Sequence, residues 1–148
     1  MSQDDRLGSA EAQSDPVAVS AARLRGAEGR RNVAEAKLVV TERELEKTKQ
    51  TDDQAVVAEA KVAVAEAKVV IAEAKSGVAD AELGVAKANL RVTEAELEKA
   101  KQSGNHVAVA EANAAVAKQE AAVAKQEAAV AEAKAAVAEA KAAVAEAK

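Results

Sequence analysis

Val130-Ala131-Glu132-Ala133-Lys134-Ala135-Ala136 decides the fold class. The unit returns almost unchanged up to the last residue, Lys148. With Val at heptad position a, Ala133 falls at d, Ala136 at g, Glu132 at c and Lys134 at e. On a helical wheel g, d and a form one apolar arc about 120° wide. Apolar residues spaced by seven are the pattern of helices that meet along a seam. Ala has the highest helix propensity, while β-branched Val is stiffer and less favourable. Each side chain is small, so at about 25 cal/mol per Å² a heptad gains little from burial.

Working outward, the valine repeat runs in three phases. Val33 and Val40 hold the first; Val57, Val64, Ile71, Val78, Val85 and Val92 hold the second; Val109, Val116, Val123, Val130, Val137 and Val144 hold the third. Each change of phase adds three residues beyond a whole number of heptads. Such an insertion is either a distortion in one helix or a turn between two. A longer repeat lies over the short one: residues 33–61 align without gaps on 85–113, an offset of 52. The phase breaks align as well, Thr51-Asp52-Asp53-Gln54 on Ser103-Gly104-Asn105-His106. Gly and Asn tolerate left-handed backbone and end helices, and Thr51 with Gln54 has the spacing of a capping box. Read as turns, the breaks leave helices over 32–50, 55–102 and 107–148. Read as distortions, they leave one rod of roughly 174 Å. Asn32 with Glu35 is a further capping box, predicting a helix start there.

The helical faces differ along the chain. A second apolar stripe, Val62, Val69, Leu83, Leu90 and Leu97, recurs in the middle segment at position f, and Leu38 and Leu45 repeat it earlier. It lies roughly 140° from the first stripe. Two stripes suit a helix packed on two sides, so residues 55–102 are expected in the middle of a bundle. Gly77 and Gly84, both at g, mark either a close backbone approach or two weak spots of about 1 kcal/mol each. Gln119 and Gln126 fall at d. They either set register, as polar core residues can, or face solvent where the repeat drifts. In the tail, Glu and Lys avoid the i,i+3 and i,i+4 spacings that support a lone helix. Those charges are therefore expected to serve solubility or to meet partner helices. Glu44/Lys47, Glu46/Lys49, Glu96/Lys99 and Glu98/Lys101 do have i,i+3 spacing, beside each break.

Composition narrows the functional classes. Of 148 residues 43 are Ala and 21 are Val, and these supply 64 of the 73 hydrophobic positions. Phe, Tyr, Trp and Cys are absent. A compact globular core needs larger side chains to fill its volume, and disulfides are impossible. One histidine, His106, has no Cys or second His to share a metal with. No phosphate-binding glycine loop occurs. Catalytic, cofactor-binding and metal residues are all expected to be none. The net charge of −4 argues against nucleic acid and anionic membranes. No apolar run is long enough for a signal peptide or a membrane span, and a cytoplasmic, soluble protein is expected. No small-molecule ligand is expected either. Residues 1–31, with Pro16, Gly8, Gly26 and Gly29, are expected to be a flexible, disordered leader. The alternative is a short helix begun by Asp15-Pro16 and ended at the glycines.

The stretch from Val85 to Lys101, V-A-K-A-N-L-R-V-T-E-A-E-L-E-K-A-K, resembles the α-helical hairpins of bacterial membrane-fusion adaptor proteins in its heptad flavour. That resemblance implies antiparallel helix pairing. The lipoyl-like and β-barrel regions of that family have no counterpart in this sequence. Alanine-rich ice-binding and desiccation-protective helices share the composition but run on repeats of about 11 residues. The expected fold is thus all-α, made of long Ala/Val heptad helices as a coiled coil or an elongated antiparallel hairpin or bundle. The expected function is non-enzymatic: a structural, self-associating coiled-coil protein or spacer, with a stress-protective or ice-binding helix as the alternative. The partner is another helix or a second copy. The packing and interaction residues are Val57, Val64, Ile71, Val78, Val85, Val92, Val109, Val116, Val123, Val130, Val137 and Val144, with Leu83, Leu90 and Leu97.

Overall fold

The computed structural model describes residues 15–148. They form three α-helices: α1 (Pro16–Lys49), α2 (Gln54–Ser103) and α3 (His106–Ala147). Both phase breaks are turns, so the single-rod alternative is set aside.

Helix α1 starts well before the sequence pattern predicts. The leader expected over 1–31 is helical from Pro16 onward, and its first 14 residues lie outside the described part. Asp15 is the cap: its Oδ1 accepts from the amide of Ala18 at 3.0 Å. Pro16 follows at the first helical position, where no amide donor is needed. Gly26, Gly29 and Asn32 all lie inside α1, so neither glycine ends a helix and Asn32 starts none. The reason is a continuous inward face. Leu24, Ala27, Ala34, Leu38 and Leu45 are buried or half-buried along it. That packing outweighs two mid-helix glycines, each worth about 1 kcal/mol.

The two turns are built alike. Thr51 Oγ donates to the carbonyl of Thr48 at 2.7 Å, and Ser103 Oγ, 52 residues later, donates to that of Ala100 at 2.6 Å. Asp53 Oδ1 accepts from the amides of Ala55 and Val56, at 3.0 and 3.4 Å. Its counterpart Asn105 accepts from Val107 and Ala108, at 3.1 and 3.3 Å. The capping box expected at Thr51 is therefore displaced. Thr51 closes α1, and Asp53 opens α2, because a carboxylate one residue before the helix reaches two free amides at once.

The helices contribute to two compact units. One holds residues 16–25 of α1, 80–103 of α2 and 106–128 of α3; the other holds 26–49, 54–79 and 129–147. Each is an antiparallel three-helix bundle. In the second unit two ion pairs record the register of α2 against α3: Lys141 to Glu73 at 3.9 Å and Lys148 to Glu66 at 3.7 Å. One step of seven along α3 matches one step of seven back along α2. The tail charges do meet a neighbouring helix, within the same chain. Their side chains are more than half exposed, so each pair adds a few tenths of a kcal/mol at most.

The buried residues are small: Ala27, Ala34, Val64, Ile71, Val78, Ala79, Ala86, Ala88 and Val130. None of the buried residues is polar or charged. Helix α2 carries most of them, and its half-buried positions cover both stripes read from the sequence. It is the two-sided helix.

Candidate helix-docking groove

Of the residues expected to pack, Val64, Ile71, Val78 and Val130 are buried. Val57, Val85, Val109, Val116, Val123, Val137, Val144, Leu83, Leu90 and Leu97 are half-buried, and Val92 is exposed. The valines of the first phase, Val33 and Val40, are more than half exposed. Helix α1 buries its leucine stripe and turns its valine stripe outward.

Val107 is exposed outside the heptad a positions in one unit, and three more such valines lie in the unit of residues 26–79 and 129–148: Val39, Val56 and Val70. Each of those three stands beside a β-branched a residue, in Val39-Val40, Val56-Val57 and Val70-Ile71. The doublets are the signal that finds them, because two adjacent apolar residues on a helix point about 100° apart. One of the two then leaves the seam. With Val33 and Val40, these make five exposed valines in the unit of residues 26–79 and 129–148.

The same unit contains an open groove of about 670 Å³ touched by all three of its helices. Helix α1 lines it with Glu35, Leu38 and Val39, α2 with Lys68, Ile71, Ala72 and Lys75, and α3 with Ala129, Glu132, Ala133 and Ala136. A second hollow of about 630 Å³ shares Val39 and Lys68 with it and continues past Glu42, Arg43 and Glu46 to Lys49. The first hollow is lined mainly by Leu, Val, Ile and Ala side chains, with Glu35, Lys68, Lys75 and Glu132 among them. The second is lined mostly by charged residues of both signs.

The other unit holds a smaller recess of about 230 Å³ with a different lining. Leu24 of α1, Glu82, Val85, Ala86 and Asn89 of α2, and Gln119, Ala122 and Gln126 of α3 surround it. Both glutamines are half-buried on the packing stripe of α3, not turned to solvent. The Oε1 of Gln126 is buried without a hydrogen-bond partner. An unsatisfied acceptor costs about 1–3 kcal/mol, so Gln126, midway along α3, is a weak point in the packing of this unit.

Gly77 and Gly84 do not mark a close approach. A Cβ on either would meet nothing within 4 Å. His106 is the first residue of α3 and is exposed. Among the described residues, no group of three or more His, Asp or Glu is placed to hold a metal ion. No helix among them is long and apolar enough to cross a membrane. Compared with protein-family models, with curated proteins and with solved structures, the chain matches none.

Proposed function

We propose that the protein is a non-enzymatic helical scaffold that assembles with other helices through its uncovered valine and alanine faces. One observation carries the reading: a unit of small residues leaves Val33, Val39, Val40, Val56 and Val70 exposed and holds an open, largely apolar groove with Val39 on its lining. Single exposed apolar residues are ordinary on a protein surface, whereas a contiguous apolar surface with a polar rim marks an interaction site. The heptad register favours a helix as the partner, since Val and Ala every seven residues present a seam of matching period.

Helix assembly of this kind stabilises the folded state by mass action. Thermal melting followed by circular dichroism is therefore expected to shift upward as the protein concentration rises a hundredfold. Melting that is independent of concentration, with no rise when a Val-Ala-Glu-Ala-Lys-Ala-Ala peptide is added, contradicts the reading.

A further inference from the structure

We infer that the outer face of α1 docks antiparallel on the outer face of α3 of a second copy of this chain, through two heptad-spaced rows of opposite charge. The inference rests on the scaffold reading and names its partner.

The first row lies on α1. Arg23, Arg30, Lys37 and Glu44 recur every seven residues and are all exposed. Val33 and Val40 stand three residues after Arg30 and Lys37, so the exposed valine stripe runs beside the row. Gly26, Gly29 and Ala36, also exposed, leave that face low. The acids between the bases, Glu28 and Glu35, each come five residues after an arginine of the row, about 140° round the helix. Over residues 23–40 this face therefore carries bases alone.

The second row lies on α3 at heptad position c: Lys125, Glu132, Glu139 and Glu146, again all exposed. Over residues 131–146 the outward positions b and f around it hold only exposed alanines. The lysines at e turn the other way, Lys141 to Glu73 and Lys148 to Glu66 of α2. Among the described residues, no member of either row forms an ion pair.

The order of signs selects the match. Along α1 the row reads three bases and then an acid; along α3 it reads one base and then three acids. Laid antiparallel, Arg23 meets Glu146, Arg30 meets Glu139, Lys37 meets Glu132 and Glu44 meets Lys125. A slide of one heptad sets Lys37 against Lys125 in one direction and Glu44 against Glu132 in the other. A parallel alignment reaches three opposite pairs at most. Past Lys37 the α1 face is mixed, with Arg43, Glu46 and Lys47. The three base–acid pairs therefore carry the attraction, and the fourth pair carries the register.

The same device already operates within the chain. Lys141 to Glu73 and Lys148 to Glu66 join two antiparallel helices in steps of seven, at 3.9 and 3.7 Å. The Gly, Ala and Val side chains beside the rows let two helix axes come to the short end of the usual ~8–10 Å.

The test uses the full-length chain in sedimentation equilibrium, with circular dichroism as the folding control. Wild type is expected to self-associate, and about tenfold more weakly when the salt concentration rises about tenfold from low ionic strength. Arg30→Glu with Lys37→Glu is expected to raise the Kd about thirtyfold or more, because acids then face acids. A second variant, Glu132→Lys with Glu139→Lys, is expected to do the same by facing bases with bases. All four positions are exposed and all four replacements are good helix formers, so the single chain keeps its fold. The two variants complement each other. Mixed in equal amounts, they are expected to associate to within about threefold of wild type, as is the chain carrying all four changes. A wild-type assembly indifferent to both variants, or variants that mixing does not restore, overturns this inference and leaves the scaffold reading standing. A monomer whose melting rises with the added heptad peptide does the same. A monomer indifferent to that peptide overturns both.

Discussion

The two copies of the 52-residue repeat present the same inward face and different outward ones. In the first, Ala34, Leu38, Thr41 and Leu45 turn inward; in the second, Ala86, Leu90, Thr93 and Leu97 occupy the matching places. Ala34 is 4% exposed and Ala86 7%. Thr41 and Thr93 both donate to the carbonyl three residues back, Leu38 and Leu90, at 2.9 Å. The ion pairs before each turn repeat too, Lys49 to Glu46 at 3.2 Å and Lys101 to Glu98 at 3.6 Å. The valine stripe diverges at its first position: Val33 is 56% exposed, whereas its counterpart Val85 is half-buried. At the next, Val40 and Val92 are both exposed. One sequence pattern therefore has two outcomes at its first position: Val85 on α2 stands beside residues of α1 and α3, and Val33 on α1 stands exposed.

The sharpest way to break this comparison is to charge the valine stripe in both copies. Val85→Asp is expected to lower stability by about 2–3 kcal/mol in urea unfolding, because it buries a charge without a partner. Val33→Asp is expected to change it by about 0.5 kcal/mol or less. Equal losses would mean that α1 is covered on both faces. Next in size, Ala34→Leu and Ala86→Leu are each expected to cost about 1–3 kcal/mol, since both add three carbons to a closed seam. A loss at only one of them would break the equivalence of the two inward faces.

The turns sharpen the comparison further. Asp53→Ala and Asn105→Ala are each expected to cost about 1 kcal/mol, as lost helix caps do. Their neighbours separate: Gly104 has φ 73°, a left-handed backbone, while no non-glycine residue among those described, Asp52 included, has positive φ. Gly104→Ala is expected to cost about 1 kcal/mol and Asp52→Ala close to nothing. The smallest effect is a gain. Gly77→Ala and Gly84→Ala meet open space inside α2, and each is expected to add about 0.5–1 kcal/mol.

Much of this architecture is legible in the sequence. The heptad valines and the two stripes of the middle segment carry the helices and the two packed stripes of α2. The phase breaks locate both turns, because three extra residues cannot be absorbed in a seam without changing its face. What the repeat hides is α1 before Asn32. There the inward residues are Leu24 and Ala27 among arginines and glycines, and no valine recurs to mark them. A search for valine period misses a face made of Leu and Ala. The groove is hidden for another reason. Leu38, Ile71 and Ala133 are far apart in sequence, and no local pattern says that α1 and α3 leave a channel between them. Val39 gives a local sign, as the first member of the apolar doublet Val39-Val40.

The claim on which the account turns is that a seam of methyl and isopropyl groups in one chain is left waiting for a second. Sedimentation equilibrium of the full-length protein across a hundredfold range of concentration tests it directly. The account predicts a mass that climbs above 15.1 kDa as the concentration rises, with helicity retained throughout. A mass fixed at 15.1 kDa over the whole range, with melting unmoved by the Val-Ala-Glu-Ala-Lys-Ala-Ala peptide, would contradict it.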